Sequence, residues 1–126
     1  MPVSQLPRVL IVEDEFMIVL MLENLLAEAA FEVADVATKL EPALAFVEAS
    51  AFDAAILDAN LAGINSAPVA AALTARSIPF LVVSGYAATQ QNDAFAAGLH
   101  VQKPFQTEAL IEALESILPA CDTVEP

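Results

Sequence analysis

Arg8-Val9-Leu10-Ile11-Val12-Glu13-Asp14-Glu15 is the stretch on which the fold turns. Five residues dominated by β-branched and leucine side chains, without polar alternation, read as a strand buried on both faces, and the abrupt switch to three acids marks its exit from a sheet. Behind it, Phe16 to Ala30 carries Ile18, Met21, Leu22, Leu25, Leu26 and Ala29 at helical spacing, with Glu23, Asn24 and Glu28 off that face, so a buried strand is followed by an amphipathic helix. The same unit recurs along the chain. Val33–Val36, Ala54–Leu57, Ile78–Val83 and Leu99–Gln102 read as strands. Thr38–Ala49, Ala67–Ala75 and Thr89–Ala97 read as the helices between them, with Pro42 and Pro68 in first turns, where a missing N–H costs nothing. Gly98 reads as the cap that ends the fourth helix, and Thr107 as the cap that opens a last one, whose Leu110, Ala113, Leu114, Ile117 and Leu118 face inward while Glu108, Glu112 and Glu115 face out. Five strands alternating with five helices predict an α/β, doubly wound parallel sheet covered on both faces.

The 126 residues fit a single domain, with a core over 8–118 and flexible ends at 1–7 and 119–126. Apolar residues make up 58% of the chain, too many for an acidic disordered segment. The formal charge is −13, and the four cations, Arg8, Lys39, Arg76 and Lys103, form no stripe that could neutralise a phosphate backbone. Nucleic acid is therefore excluded as a partner. The same field repels anionic lipid, and the longest apolar run, Phe16 to Leu22, is far shorter than the ~18 residues of a membrane span. No cationic segment precedes an apolar one at Met1 to Pro7, so a cytoplasmic location is expected. The single cysteine, Cys121, has no disulfide or metal companion.

In doubly wound sheets the ligand site lies beyond the carboxyl ends of the strands. Glu13, Asp14, Asp58, Ser84 and Lys103 occupy those positions. Three carboxylates converging on one edge repel one another unless a cation intervenes, and a hard, oxygen-preferring ion such as Mg²⁺ suits them. Lys103 supplies a fixed counter-charge. Along the first helix, the apolar set exceeds what a core-facing stripe requires: Phe16, Val19 and Leu20 are surplus and form a candidate partner surface.

Over residues 8–118 the chain resembles a response-regulator receiver domain, of flavodoxin-like architecture. The resemblance rests on Glu13-Asp14 after Leu10-Ile11-Val12, on Asp58 after Ala55-Ile56-Leu57, on Ser84 after Phe80-Leu81-Val82-Val83, and on Lys103-Pro104-Phe105. Pro79-Phe80 and Ser84-Gly85-Tyr86 resemble the FATGUY-type branch, often found as stand-alone receivers. The resemblance implies phosphoryl transfer from a histidine kinase phosphohistidine to Asp58. It implies Mg²⁺ held by Asp14, Asp58 and the main-chain carbonyl of Asn60, with Glu13 acting through a water, and Lys103 and Ser84 contacting the phosphoryl oxygens. It also implies a cis bond before Pro104, a docking surface for the kinase on the first helix, and a protein that catalyses its own phosphorylation and dephosphorylation without being an enzyme in the ordinary sense. The chain departs from the family at His100, where many receivers carry a switching tyrosine or phenylalanine; Tyr86 could supply that aromatic element, and Asn60 and Tyr86 flank the expected path of the hydrolytic water. Output is expected through protein–protein interaction or by draining phosphate from a shared kinase, with a degenerate receiver that binds partners without phosphate as the alternative. A flavodoxin-like small-molecule binder would want a glycine- or hydroxyl-rich loop where Glu13-Asp14-Glu15 stands. An aspartate-nucleophile phosphatase would want a second acid at Asn60.

Overall fold

The computed structural model describes residues 6–49, 51–85, 93–103 and 105–118. Tyr86, Pro104, Cys121 and the C-terminal tail lie outside them. A parallel five-stranded sheet forms from β1 (Arg8–Val12), β2 (Glu32–Ala37), β3 (Ala54–Asp58), β6 (Phe80–Ser84) and β7 (Leu99–Gln102), in the order β2-β1-β3-β6-β7. Between β3 and β6, β4 (Asn60–Leu61) and β5 (Ile64–Asn65) make a separate two-residue hairpin. The helices are α1 (Phe16–Glu28), α2 (Leu40–Ala49), α3 (Ala67–Ala75) and α4 (Thr107–Ile117).

Alternation along the strands divides the core in two. Leu10, Val12, Ala55, Leu57, Phe80 and Val82 pack on one side of the sheet against Ala43 and Val47 of α2 and Val69, Ala70 and Leu73 of α3. Val9, Ile11, Ala54, Ile56, Leu81 and Val83 pack on the other against α1 and α4. Each central strand thus presents apolar side chains to both layers, which is why the sequence shows uninterrupted hydrophobic runs. β3, flanked by β1 and β6, is buried at every residue, and Asp58 is its last.

Several boundaries differ from the expectations, for local reasons. β6 begins at Phe80, because Pro79 has no N–H and the N–H of Ile78 donates to Leu73 O at 2.9 Å, closing the end of α3. α1 ends at Glu28 in the same way: Ala30 takes a positive φ of 67° and the N–H of Phe31 donates to Leu26 O. α2 starts at Leu40, two residues later than expected. The turn expected at Asn60–Gly63 is a hairpin, with Ala62 and Gly63 both at positive φ, 52° and 89°, as a two-residue loop between twisted strands requires. Of the fourth expected helix, the described part, Asp93–Ala97, is a 3₁₀ turn that buries Phe95.

Gly98 needs its missing side chain for a reason other than a left-handed cap. A Cβ there would lie 2.5 Å from the ring of Phe80 and 2.8 Å from Val82, so the 3₁₀ turn packs on β6 at a separation only glycine allows. Thr107 is the first residue of α4, not its cap: Gln106 holds that position without a side-chain bond, and the Thr107 hydroxyl lies 3.3 Å from Glu108 Oε1. In α1 the buried residues are Val19, Leu22 and Leu26, with Ile18, Leu25 and Ala29 packed beside them. Val19 is therefore core, and Met21, expected inside, is 38% exposed.

Candidate functional site

Glu13 and Asp14 after β1, Asp58 at the end of β3 and Lys103 after β7 meet at the carboxyl edge of the sheet. β1 pairs with β3 so that Val12 lies beside Leu57, which brings Glu13 and Asp14 next to Asp58. The N–H of Glu13 donates to Ala37 O at 3.0 Å, holding the chain after β1 against β2. Glu13, Asp14 and Asp58 each place a carboxylate oxygen within 4.8 Å of the other two. From the far side of β6, Lys103 reaches in: its Nζ lies 3.3 Å from Asp58 Oδ2 and 3.7 Å from Glu13 Oε1. The Lys103 N–H donates to Ser84 O at 2.7 Å, so the strand ends of β6 and β7 fix the base of this arm.

The burial of these charges is uneven. Glu13 and Asp58 are almost fully buried, Asp14 is half-buried, and the Lys103 side chain is 23% exposed. Burial first, then the negative charge of Asp58 and a hydrogen bond from the protonated form to Asp58, push Glu13 up from 4.5 to about 7; the Glu15 N–H, 3.1 Å from Oε2, and Lys103 pull the other way. For Lys103, burial favours the neutral amine, but Asp58, Glu13 and Glu15 together outweigh it and raise the ammonium above its ordinary value. The cluster thus holds more negative charge than one lysine balances, and all its ligand atoms are hard oxygens. That donor set fits Mg²⁺ and offers nothing to a soft, sulfur-seeking metal.

Asp58 is held at three points. Its Oδ1 accepts the Asn60 N–H at 3.0 Å, its Oδ2 faces Lys103, and its main-chain carbonyl accepts the hydroxyl of Ser66 at 2.6 Å. Ser66 is completely buried and was not among the residues expected at the site. Its signal in the sequence is that of a helix cap, a serine directly before Ala67-Pro68. The Asn60 side chain, expected near the hydrolytic water, accepts the Gly63 N–H at 2.6 Å and so belongs to the hairpin turn. His100 is exposed on β7, with Nε2 3.1 Å from Phe95 O.

Of the residues expected to form a partner surface on α1, Phe16 and Leu20 are exposed and Val19 is buried. Phe16 and Met17 are 70% and 73% exposed, and Leu20 and Met21 join them one turn on. Val19 does not, because it packs among Leu22, Ile56 and Val83 beneath the helix. Arg8 and Arg76 serve elsewhere, Arg8 pairing with Glu32 at 3.8 Å and Arg76 donating to Val47 O.

A doubly wound sheet of this strand order, with three carboxylates and a lysine converging beyond its carboxyl edge, defines a receiver domain. The family model described as response regulator receiver domain matches residues 9–115, and the chain belongs to that family, the receivers of two-component signalling. Among solved structures it is similar to SdrG from Sphingomonas melonis Fr1, with 40% identity and a TM-score of 0.78 over 91% of this chain and 98% of that one. It is similar too to the Vibrio cholerae chemotaxis protein CheY4, with 26% identity and a TM-score of 0.79 over 90% of this chain and 100% of that one. The receiver domain of the sensor histidine kinase PA1611 from Pseudomonas aeruginosa PAO1, whose active-site cleft coordinates a magnesium ion, shares the fold at 21% identity, with a TM-score of 0.78 over 90% and 98% of the two chains. None of the curated proteins matches. Among the described residues no helix is long and apolar enough to cross a membrane.

Proposed function

We propose that this chain is a phosphoacceptor of two-component signalling, taking a phosphoryl group from a histidine kinase onto Asp58. The observation that carries the reading is the convergence of Glu13, Asp14 and Asp58 within 4.8 Å, faced by Lys103 at 3.3 Å. Asp14, Asp58 and the main-chain carbonyl of Asn60 would hold Mg²⁺, with Glu13 behind a water. Bound there, the ion would neutralise the repulsion between the carboxylates and an incoming phosphoryl group.

The protein's own part is positional. The Asn60 N–H and the Ser66 hydroxyl hold the Asp58 carboxylate and its peptide in one orientation, so the nucleophile is aligned before the donor arrives. The carboxylate forms an O–P bond as the kinase imidazole's P–N bond breaks, the imidazole leaving with its electron pair and regaining a proton. The Lys103 ammonium, freed from Asp58 Oδ2, follows the charge onto a phosphoryl oxygen, and the Ser84 hydroxyl supplies a second donor. The exposed side of α1, formed by Phe16, Met17, Leu20 and Met21, borders the site through Glu13-Asp14-Glu15 and is the proposed kinase-docking surface. Output passes by protein–protein interaction or by draining the kinase, in the cytoplasm and in the stand-alone manner of the FATGUY-type branch. Tyr86, His100 and Asn60 are proposed to set the phosphate lifetime, which phosphate decay in Tyr86→Ala tests.

Incubation with acetyl phosphate or phosphoramidate and Mg²⁺, followed by intact mass, tests the central claim. The expected result is the gain of one phosphoryl group, abolished by chelator and absent in Asp58→Asn. Uptake that persists in Asp58→Asn would refute it, as would a protein that takes phosphate neither from these donors nor from histidine kinases.

A further inference from the structure

Ser66 occupies the N-cap position of α3, where a serine hydroxyl ordinarily accepts a bond from a main-chain N–H of the first helical turn. It makes no such bond. Instead its Oγ donates to the carbonyl of Asp58 at 2.6 Å, and its main-chain N–H donates to Ala59 O at 3.0 Å. Its own carbonyl accepts the N–H groups of Val69 and Ala70 at 2.9 and 3.3 Å. One completely buried residue thus ties the peptides of the phosphoacceptor and its neighbour to the head of a helix.

The arrangement has two consequences. A capping bond is forgone in favour of one to the site, although the residue type is among the best caps. And with the Asp58 carbonyl fixed from behind, the chain turns so that the Asn60 N–H meets Oδ1 at 3.0 Å, leaving Oδ2 toward Lys103. The same short segment carries the Asn60 main-chain carbonyl. We propose that Ser66 is a positioning residue: its hydroxyl holds the 58–60 backbone so that the Asp58 carboxylate and the Asn60 carbonyl stay aligned for the cation and the phosphoryl donor. The proposal rests on the reading of Asp58 as phosphoacceptor.

The test uses the full chain as wild type, Ser66→Ala, Ser66→Thr and Leu73→Ala. Leu73 is a buried α3 residue remote from the carboxylates in sequence and serves as a control for lost stability alone. Mg²⁺ affinity is read by calorimetry, phosphate uptake from acetyl phosphate at saturating Mg²⁺ by intact mass, and stability by urea denaturation. Ser66→Ala is expected to weaken Mg²⁺ binding and slow uptake, each by about tenfold, the scale of one lost buried hydrogen bond. Ser66→Thr, which keeps the donor, is expected to retain both, while Leu73→Ala is expected to lose stability with an unchanged Mg²⁺ affinity. Should Ser66→Ala not fold, Ser66→Gly carries the same comparison, since glycine is tolerated at an N-cap. A hydroxyl-free variant that binds Mg²⁺ and takes up phosphate as the wild type does overturns this proposal and leaves the phosphoacceptor reading standing. A wild type that binds Mg²⁺ but accepts no phosphate from acetyl phosphate or a kinase overturns that reading, and calorimetry alone then judges the role of Ser66.

Discussion

Raising the pH in the absence of divalent cations should weaken the domain through one side chain, Glu13. Its carboxyl is pushed from 4.5 to about 7 by burial and by the charge of Asp58. Between those values the native state keeps a proton that the unfolded chain has released, so stability falls as pH rises: the loss begins above 4.5 and is complete above about 7. The gap corresponds to about 3 kcal/mol, a large share of the 5–15 kcal/mol (roughly) that holds a typical domain together. Urea denaturation with chelator at about pH 5 and about pH 8, on wild type and Glu13→Gln, reads this carboxyl together with its coupling to Asp58. Wild type should lose about 2–3 kcal/mol more than Glu13→Gln over that interval. Mg²⁺ at the higher pH should restore much of the difference, since it binds the folded state. Parallel pH profiles for the two proteins would refute the reasoning, because Glu13 would then carry the same proton load folded and unfolded.

Four further outcomes follow from features already described. Lys103→Ala should lower stability in chelator at about pH 8 by about 1–3 kcal/mol, with a smaller loss at about pH 5 where Glu13 is protonated; equal losses at both values would mean the ammonium does not act through that pair. Gly98→Ala should cost about 1–3 kcal/mol by driving a methyl group into the Phe80 ring, measured by thermal or urea denaturation, and a neutral result would mean that the 3₁₀ turn moves away freely. On α1, Val19→Ala should cost about 2 kcal/mol while Leu20→Ala stays within about 0.5. Leu20→Glu should instead slow phosphotransfer from a histidine kinase without unfolding the domain, and unchanged transfer would remove α1 from the docking surface.

Where a signal is local and repeated, the sequence alone shows it. The runs at Arg8–Val12 and Leu99–Gln102 appear as strands with the expected bounds, and Ala67–Ala75 as the expected helix, because buried parallel strands and a proline-led helix leave strong marks in composition. Glu13, Asp14, Asp58 and Lys103 were legible because acids and a lysine directly after apolar runs stand where a doubly wound sheet collects its strand ends. Val19 was misread because Phe16 to Leu22 is apolar at every position, so periodicity cannot say which side is buried. The hairpin at Asn60–Asn65 was missed because Ala62 enters a left-handed turn that asparagine would have announced. Ser66 looks like a cap in the sequence, and only its contact with Asp58, eight residues away, shows where its hydroxyl goes.

The order in which the chain supplies its strands bears on how the site comes into being. Glu13 meets Asp58 once β1 and β3 pair, whereas the Lys103 that offsets them sits 45 residues beyond Asp58 and can arrive only after β6 has added to the sheet and β7 to β6. A nascent chain, emerging from its N-terminal end, therefore has its two buried acids on hand before the ammonium that neutralises them. Glu13 can take up a proton, or the pair a cation, during that interval. The same shift that weakens the finished domain at high pH would then ease the burial of an unfinished one, and refolding in chelator should be faster at lower pH, in step with the protonation of Glu13.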